Sequence, residues 1–166
     1  MNRAVTSGLI GAALLYVSVA LLLSGCGKPM RDYGYISMNP VKGWEKNRTL
    51  EFTLDMKGDT ARTYAIYFTA EIRNNPDINE INAFPVEVIF ESPYRETYSN
   101  IVSLPINVTQ KEELYRLSKG IMEIEWPYLK NIRNKTDGTW RITIRQTANP
   151  AIYKNITGFG ICYKQE

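Results

Sequence analysis

Beyond residue 47 the spacing of hydrophobic positions is two. In "RTLEFTLDMK", Leu50, Phe52, Leu54 and Met56 alternate with Glu51, Thr53, Asp55 and Lys57. Successive side chains of an extended chain point to opposite faces, so this pattern predicts a strand with one dry face. "RTYAIYFTAEIR" repeats it with Tyr64, Ile66, Phe68, Ala70 and Ile72, and "PVEVIFES" with Val86, Val88 and Phe90. "TYSNIVSLPI" reads as a fourth strand, which Pro105 ends or confines to a sheet edge. "IMEIEW" is a short fifth. "TWRITIRQT" sets Trp140, Ile142 and Ile144 opposite Arg141, Thr143 and Arg145. The last strand, "NITGFGICYK", places Phe159, Ile161 and Tyr163 on one face and Gly160 and Cys162 on the other.

Between these runs lie turn residues, at Lys57-Gly58-Asp59-Thr60 and at Lys135-Thr136-Asp137-Gly138, the second placed to close a hairpin. One stretch breaks the period. Thr109-Gln110-Lys111-Glu112 has the form of a capping box, Leu114, Tyr115 and Leu117 follow, and Gly120 sits where a helix-ending glycine belongs. A helix of two or three turns is therefore expected there. A parallel doubly wound sheet would need a helix between successive strands, and only one is visible. The prediction is an all-β fold: an antiparallel β-sandwich of seven or eight strands with one short helix.

The first residues follow another rule. Met1-Asn2-Arg3 brings one positive charge, and the run from Ala4 to Leu23 is mostly apolar. That is the charged-then-apolar plan of a secretory signal. It closes on Leu23-Ser24-Gly25-Cys26, an aliphatic-small-small-Cys lipobox. Small residues let a peptidase close around the backbone before Cys26. The thiol takes a diacylglycerol, and the freed amine takes a fatty acyl chain such as palmitate. Each buried methylene is worth about 0.8 kcal/mol, so several acyl chains anchor where one would not. The expected division is a signal peptide over 1–25, a lipidated tether over 26–43 and a β-sandwich domain over 44–166. No aspartate follows Cys26 directly and no acidic cluster follows it, so the expected location is the outer membrane, facing the periplasm.

Removing residues 1–25 from 166 leaves 141, enough for one domain with its own core. Arg3 is the only charge lost, so a net charge of +3 becomes +2, too small an excess to argue for nucleic acid. With Cys26 acylated, Cys162 cannot join it in a disulfide, and packing must hold the domain together.

The absence of histidine removes the commonest general base, the commonest metal ligand and every Ser-His or Cys-His dyad. No catalytic residue, cofactor or metal site is expected. Cys162 in its apolar strand reads as core, and Gly158-Phe159-Gly160 reads as a place where another backbone approaches closely. Glu123 and Glu125 share a strand face, but a solvated acidic face is the simpler reading. Eleven tyrosines and three tryptophans are many for this length. Those in phase with strand cores are packing. Tyr94, Tyr98, Trp126 and Tyr128 are the candidate interaction surface, for a protein partner or a glycan. Lys130, Arg133, Lys135, Arg141 and Arg145 form a candidate basic strip toward one end. Asp59-Thr60-Ala61 is similar to the Asp-Ser/Thr-aliphatic O-glycosylation site of Bacteroidota, which makes Thr60 a candidate for modification.

The order of parts resembles the gliding-motility lipoprotein GldH family of Bacteroidota. Trp44 follows the tether, a strand ends in Leu54-Asp55, and Tyr64-Ala65-Ile66-Tyr67-Phe68 runs to Ile72-Arg73-Asn74. Gly138 through Gln146 is similar to that family's Gly-x-aromatic strand ending in glutamine, and Ile156 to Ile161 to its final glycine-containing strand. Two departures stand out: residues 111–130 hold only Gly120 where the family carries a glycine-rich Trp-x-Gly stretch, and an arginine usual after the glutamine is absent. The resemblance implies a non-enzymatic envelope component, associated with gliding machinery and its linked protein-secretion system, with an envelope protein as partner.

Overall fold

The structure, a computed structural model, describes residues 31–74, 82–106, 115–147 and 154–166. Cys26, the signal segment and the first part of the tether lie outside them. Among the described residues there are nine strands in two antiparallel sheets. One sheet holds β1 (Arg31–Ser37), β9 (Ile156–Gln165), β3 (Tyr64–Arg73), β7 (Ile121–Ile132) and β6 (Tyr115–Ser118), in that spatial order. The other holds β2 (Leu50–Met56), β8 (Gly138–Gln146), β4 (Ala83–Glu91) and β5 (Thr97–Pro105).

The period of two builds the core as expected. Leu50, Phe52, Leu54 and Met56, Tyr64, Ile66, Phe68, Ala70 and Ile72, Val86, Val88 and Phe90, and Ile142 and Ile144 are all buried, and they form one cluster between the sheets. Phe159 sits at its centre, with ring centroids 5.5 Å from Trp44, 5.8 Å from Phe68 and 6.5 Å from Phe52. Tyr64 and Tyr163 stack at 4.8 Å.

Three expectations are corrected. The predicted helix is absent from its described part, because Tyr115–Ser118 pairs with β7 from Tyr115↔Ile124 to Ser118↔Ile121. Lys119 and Gly120 both have positive φ, the conformation of a two-residue hairpin turn, so Gly120 turns a hairpin rather than capping a helix. The capping-box residues 109–112 lie outside the described residues. Second, residues 31–37, expected to belong to the tether, form β1 along β9. Its phenols roof the glycines of β9: a methyl group on Gly158 would sit 1.8 Å from the Tyr35 hydroxyl, and one on Gly160 would sit 2.5 Å from Thr69 Oγ1 and 3.0 Å from the Gly34 carbonyl oxygen. The close approach of another backbone expected here occurs at Gly160, where the Gly34 carbonyl lies, whereas Gly158 is covered by the Tyr35 side chain. Third, the 135–138 turn does not close a hairpin. It carries the chain from β7 in one sheet to β8 in the other.

The connections sort by end. At one end gather the start of β1, the β2–β3 loop, the β4–β5 loop, the β7–β8 loop and the C-terminus. Asp32 Oδ2 accepts the Asp55 N–H at 2.9 Å, the buried Asn134 amide donates to the carbonyls of Lys57 at 3.3 Å and Thr136 at 2.7 Å, and the Glu166 N–H donates to the Thr63 carbonyl at 2.9 Å. At the other end lie residues 38–49 and the β6–β7 turn. There the Met38 N–H donates to the Thr157 carbonyl at 2.8 Å and the Asn74 N–H to that of Gly120 at 2.9 Å.

Candidate functional site

The four rings of the candidate interaction surface do not meet on one surface. Trp126 is in the core at 3% exposure, edge-on to Phe84, with its indole N–H donating to the Pro105 carbonyl at 2.7 Å. A buried tryptophan needs such an acceptor, and the end of β5 supplies it. Tyr128 is half-buried, stacked 4.5 Å from Phe68 and 5.7 Å from Phe90. Burial raises its phenol above the ordinary tyrosine range, against the opposing pull of a hydrogen bond with Asn100. Tyr94 and Tyr98 alone are open, at 72% and 57%. Tyr98 donates to Glu96 at 3.0 Å, and that bond raises its pKa. Trp126 and Tyr128 are packing residues. The strand period that flagged other aromatics as core runs through them as well, and the Trp-Pro-Tyr sequence disguised it.

The acidic pair is similarly plain. Glu123 is exposed on the outer face of the five-stranded sheet, and Glu125 on the same face takes Lys164 Nζ at 3.1 Å. That ammonium also stands 3.7 Å over the Tyr67 ring. Among the described residues no group of three or more potential ligands is arranged to hold a metal ion. Cys162 is buried in β9.

The basic strip divides in two. Arg141 and Arg145 lie on the outer face of the four-stranded sheet, facing Glu91 at 3.6 Å and Glu87 at 3.9 Å. Arg133 and Lys135 belong to the loop after β7. Thr60 is exposed in the β2–β3 loop, where Asp59 accepts the Ala61 N–H at 2.9 Å and pairs with Arg62 at 3.1 Å.

Sequence reasoning read β5 as a strand that Pro105 ends or confines to an edge, and missed that edge as a candidate docking site. The strand pairs with β4 from Glu91↔Thr97 to Ala83↔Pro105 without a register shift, and among the described residues no strand lies on its other side. Over its nine residues it has no charged side chain, whereas β1, β2 and β6, the other strands at sheet edges, each carry at least one. Ile101 at its middle is 66% exposed. A long, regular, uncharged edge offers a row of backbone groups to another strand, which most proteins prevent with charge or bulges. The signal was present as a lack of charge in "TYSNIVSLP", but only pairing shows which strand is last.

Three of the residues that carry the family resemblance, Trp44, Gln146 and Phe159, converge at one corner. The Trp44 ring packs on Phe159 and its N–H donates to the Arg48 carbonyl at 2.7 Å, while the Trp44 carbonyl accepts Gln146 Nε2 at 2.8 Å. Gln146 ends its strand by fastening the loop before β2 to the far edge of β8. The GldH lipoprotein family model matches residues 34–162. The chain belongs to the GldH lipoprotein family. Membership makes it a membrane-associated lipoprotein of the cell envelope, in a family associated with gliding motility. Among curated proteins there is no match.

Solved structures to which the GldH-family chain is similar include TmCBM61 in complex with β-1,4-galactotriose, at 9% identity and a TM-score of 0.31, covering 84% of this chain and 86% of that one. Another is dimeric latent PorU from Porphyromonas gingivalis, at 9% identity and 0.30, covering 86% of this chain and 13% of that one. A third is a family two carbohydrate esterase from Cellvibrio japonicus, at 12% identity and 0.30, covering 82% and 34%. Likeness at this level says nothing about ligand or activity.

Proposed function

We propose that this GldH-family lipoprotein is a structural or protein-interaction component of the envelope, in gliding or secretion-type machinery, and not an enzyme. In this reading Cys26 carries the lipid in the outer membrane, the domain faces the periplasm, and an envelope protein docks on it. The observation that carries the reading is the uncharged, unpartnered edge of β5, which fits a partner supplying an extended segment as an added strand. The glycan alternative loses its support, since Trp126 is buried and Tyr128 is packed between Phe68 and Phe90. Thr60 stays a candidate for O-glycosylation, being exposed in a turn; a Thr60→Ala change that left the mass of the mature protein unchanged, apart from the side chain, would remove it.

The test is a photo-crosslinking residue at Ile101 in living cells, with Thr143 on the outer face of the same sheet as control. A discrete adduct from position 101, absent from 143 and lost when Val102 is replaced by Pro, supports strand addition. Recovery of the uncrosslinked protein alone, under gentle detergent, counts against it.

A further inference from the structure

The geometry points to the loop end of the sandwich formed by residues 57–63, 92–96 and 133–137 as a bilayer-facing platform that rests on anionic phospholipid headgroups. The inference rests on the reading of Cys26 as the lipidated residue. Between Cys26 and β1 stand only Gly27-Lys28-Pro29-Met30. Five Cα–Cα steps span at most about 18 Å, so the start of β1 is held at the membrane surface. The strands then run away from it: the ten residues of β9 extend roughly 33 Å, which puts the opposite end, with Val41, far from the lipid.

The three loops form one surface. The backbones of Lys135 and Asp137 stand 3.0 to 3.1 Å from where a methyl on Gly58 would be, and the Pro93 ring packs against Gly138. Asn134 stitches the first and third loops from within. The middle loop is fixed as well. Ser92 Oγ accepts the N–H groups of Tyr94 at 3.3 Å and Glu96 at 3.1 Å, and Arg95 turns the chain at φ 66°. Tyr94 and Arg95 are thereby displayed at the tip of a short, tied loop.

The charges on this end are sorted. Asp59 holds Arg62 and the Ala61 N–H, Asp137 accepts the Gly58 N–H, Glu96 accepts the Tyr98 hydroxyl, and Glu166 accepts the Asn131 N–H. Asp32 and Asp55 bond to backbone and to Thr139. Every one of these carboxylates is occupied within the protein. Lys57, Arg95, Arg133 and Lys135 are exposed, and among the described residues none makes an ion pair or side-chain hydrogen bond. Within the three loops Lys57, Arg62, Arg95, Arg133 and Lys135 outnumber Asp59, Glu96 and Asp137 by two, and this surplus stands beside an exposed tyrosine, the pairing of cation and amphipathic ring found at headgroup depth. Each such cation favours an anionic surface about fivefold. Thr60 lies in the same platform, so a glycan on it and close seating of the loops on lipid exclude one another.

The test uses the full-length acylated protein in vesicles of phosphatidylcholine with or without phosphatidylglycerol. A fluorophore is placed on Tyr94→Cys or on Val41→Cys, with headgroup spin labels as quenchers. Position 94 is expected to be quenched at least threefold more than position 41, and more strongly with phosphatidylglycerol present. Changing Lys57, Arg133 and Lys135 to Glu should remove the phosphatidylglycerol-dependent part. The Gln versions, which lose the charge without adding an opposite one, should remove most of it. Equal quenching at 94 and 41, indifference to phosphatidylglycerol and to both variant sets, or protection of position 94 only when envelope proteins are added, overturns the platform. Intact mass reports acylation separately: an unacylated mature chain sinks the anchored-lipoprotein reading together with the platform, whereas an acylated chain with equal quenching sinks the platform alone.

Discussion

β9 and β5 are almost equal in length and have opposite fates. β9 lies between β1 and β3 and is buried on both faces, from Ile156 through Tyr163 except for the half-buried Thr157. β5 has one neighbour and is exposed along most of both faces. The two strands share the same local chemistry of alternation, yet one is the centre of the core and the other is open to solvent. β9 shows what glycine achieves inside a sheet: Gly158 and Gly160 leave room that Tyr35, Thr69 and the Gly34 backbone fill. β5 shows what the absence of charge leaves open at an edge. Substitutions in β9 should therefore act on stability, and substitutions in β5 on association.

The comparison can be broken most sharply at Phe159. Phe159→Ala empties a site lined by Trp44, Phe52 and Phe68, and should cost about 3–5 kcal/mol, read as a shift in the urea midpoint. A loss under about 1 kcal/mol would mean that β9 is not the core that its burial implies. Gly160→Ala comes next. Its methyl would press on backbone as well as on Thr69, so a loss of about 1–3 kcal/mol is expected by the same measurement. Gly158→Ala meets only the end of the Tyr35 ring, so pairing it with Tyr35→Ala should recover part of its own loss.

A smaller effect follows from ionisation. Tyr35 is held protonated well above the ordinary tyrosine pKa of about 10, first by burial and then by its hydrogen bond with Glu71. The folded state therefore binds that proton more tightly than the unfolded one. The stabilisation is complete below pH about 10 and is lost as pH rises beyond it. Denaturation midpoints followed through the alkaline range should fall more steeply in the wild type than in Tyr35→Phe; parallel curves would refute the role. The smallest change in stability belongs to β5. Ile101→Lys should alter it by no more than about 0.5 kcal/mol, yet it should reduce crosslinked adduct from a label at Ser103 several-fold. A stable variant with undiminished adduct would detach the edge from the partner.

Much of this fold can be read along the chain, because alternation is local. Leu50 to Met56, Val86 to Phe90 and Ile142 to Ile144 need only their neighbours in sequence to declare a dry face. The candidate site was legible only in part. Tyr94 and Tyr98 are open as expected, but Trp126 and Tyr128 are claimed by the core, since a period of two does not tell a packed ring from an open one at a strand with a proline between them. The Thr109 to Gly120 pattern was a sound helix signal taken alone, and the pairing of Tyr115–Ser118 with β7 overrode it where the structure describes it.

By itself, then, the sequence determined that this is an all-β chain, which residues are dry within most of its strands, and which family the order of parts resembles. Tertiary structure alone decided that residues 31–37 join the sheet, that β4 is the strand β5 pairs with, and that three distant loops share one end with the start of β1. The physical reason is that a side chain's face follows from its own backbone, whereas a strand's neighbour depends on contacts between residues far apart in the chain.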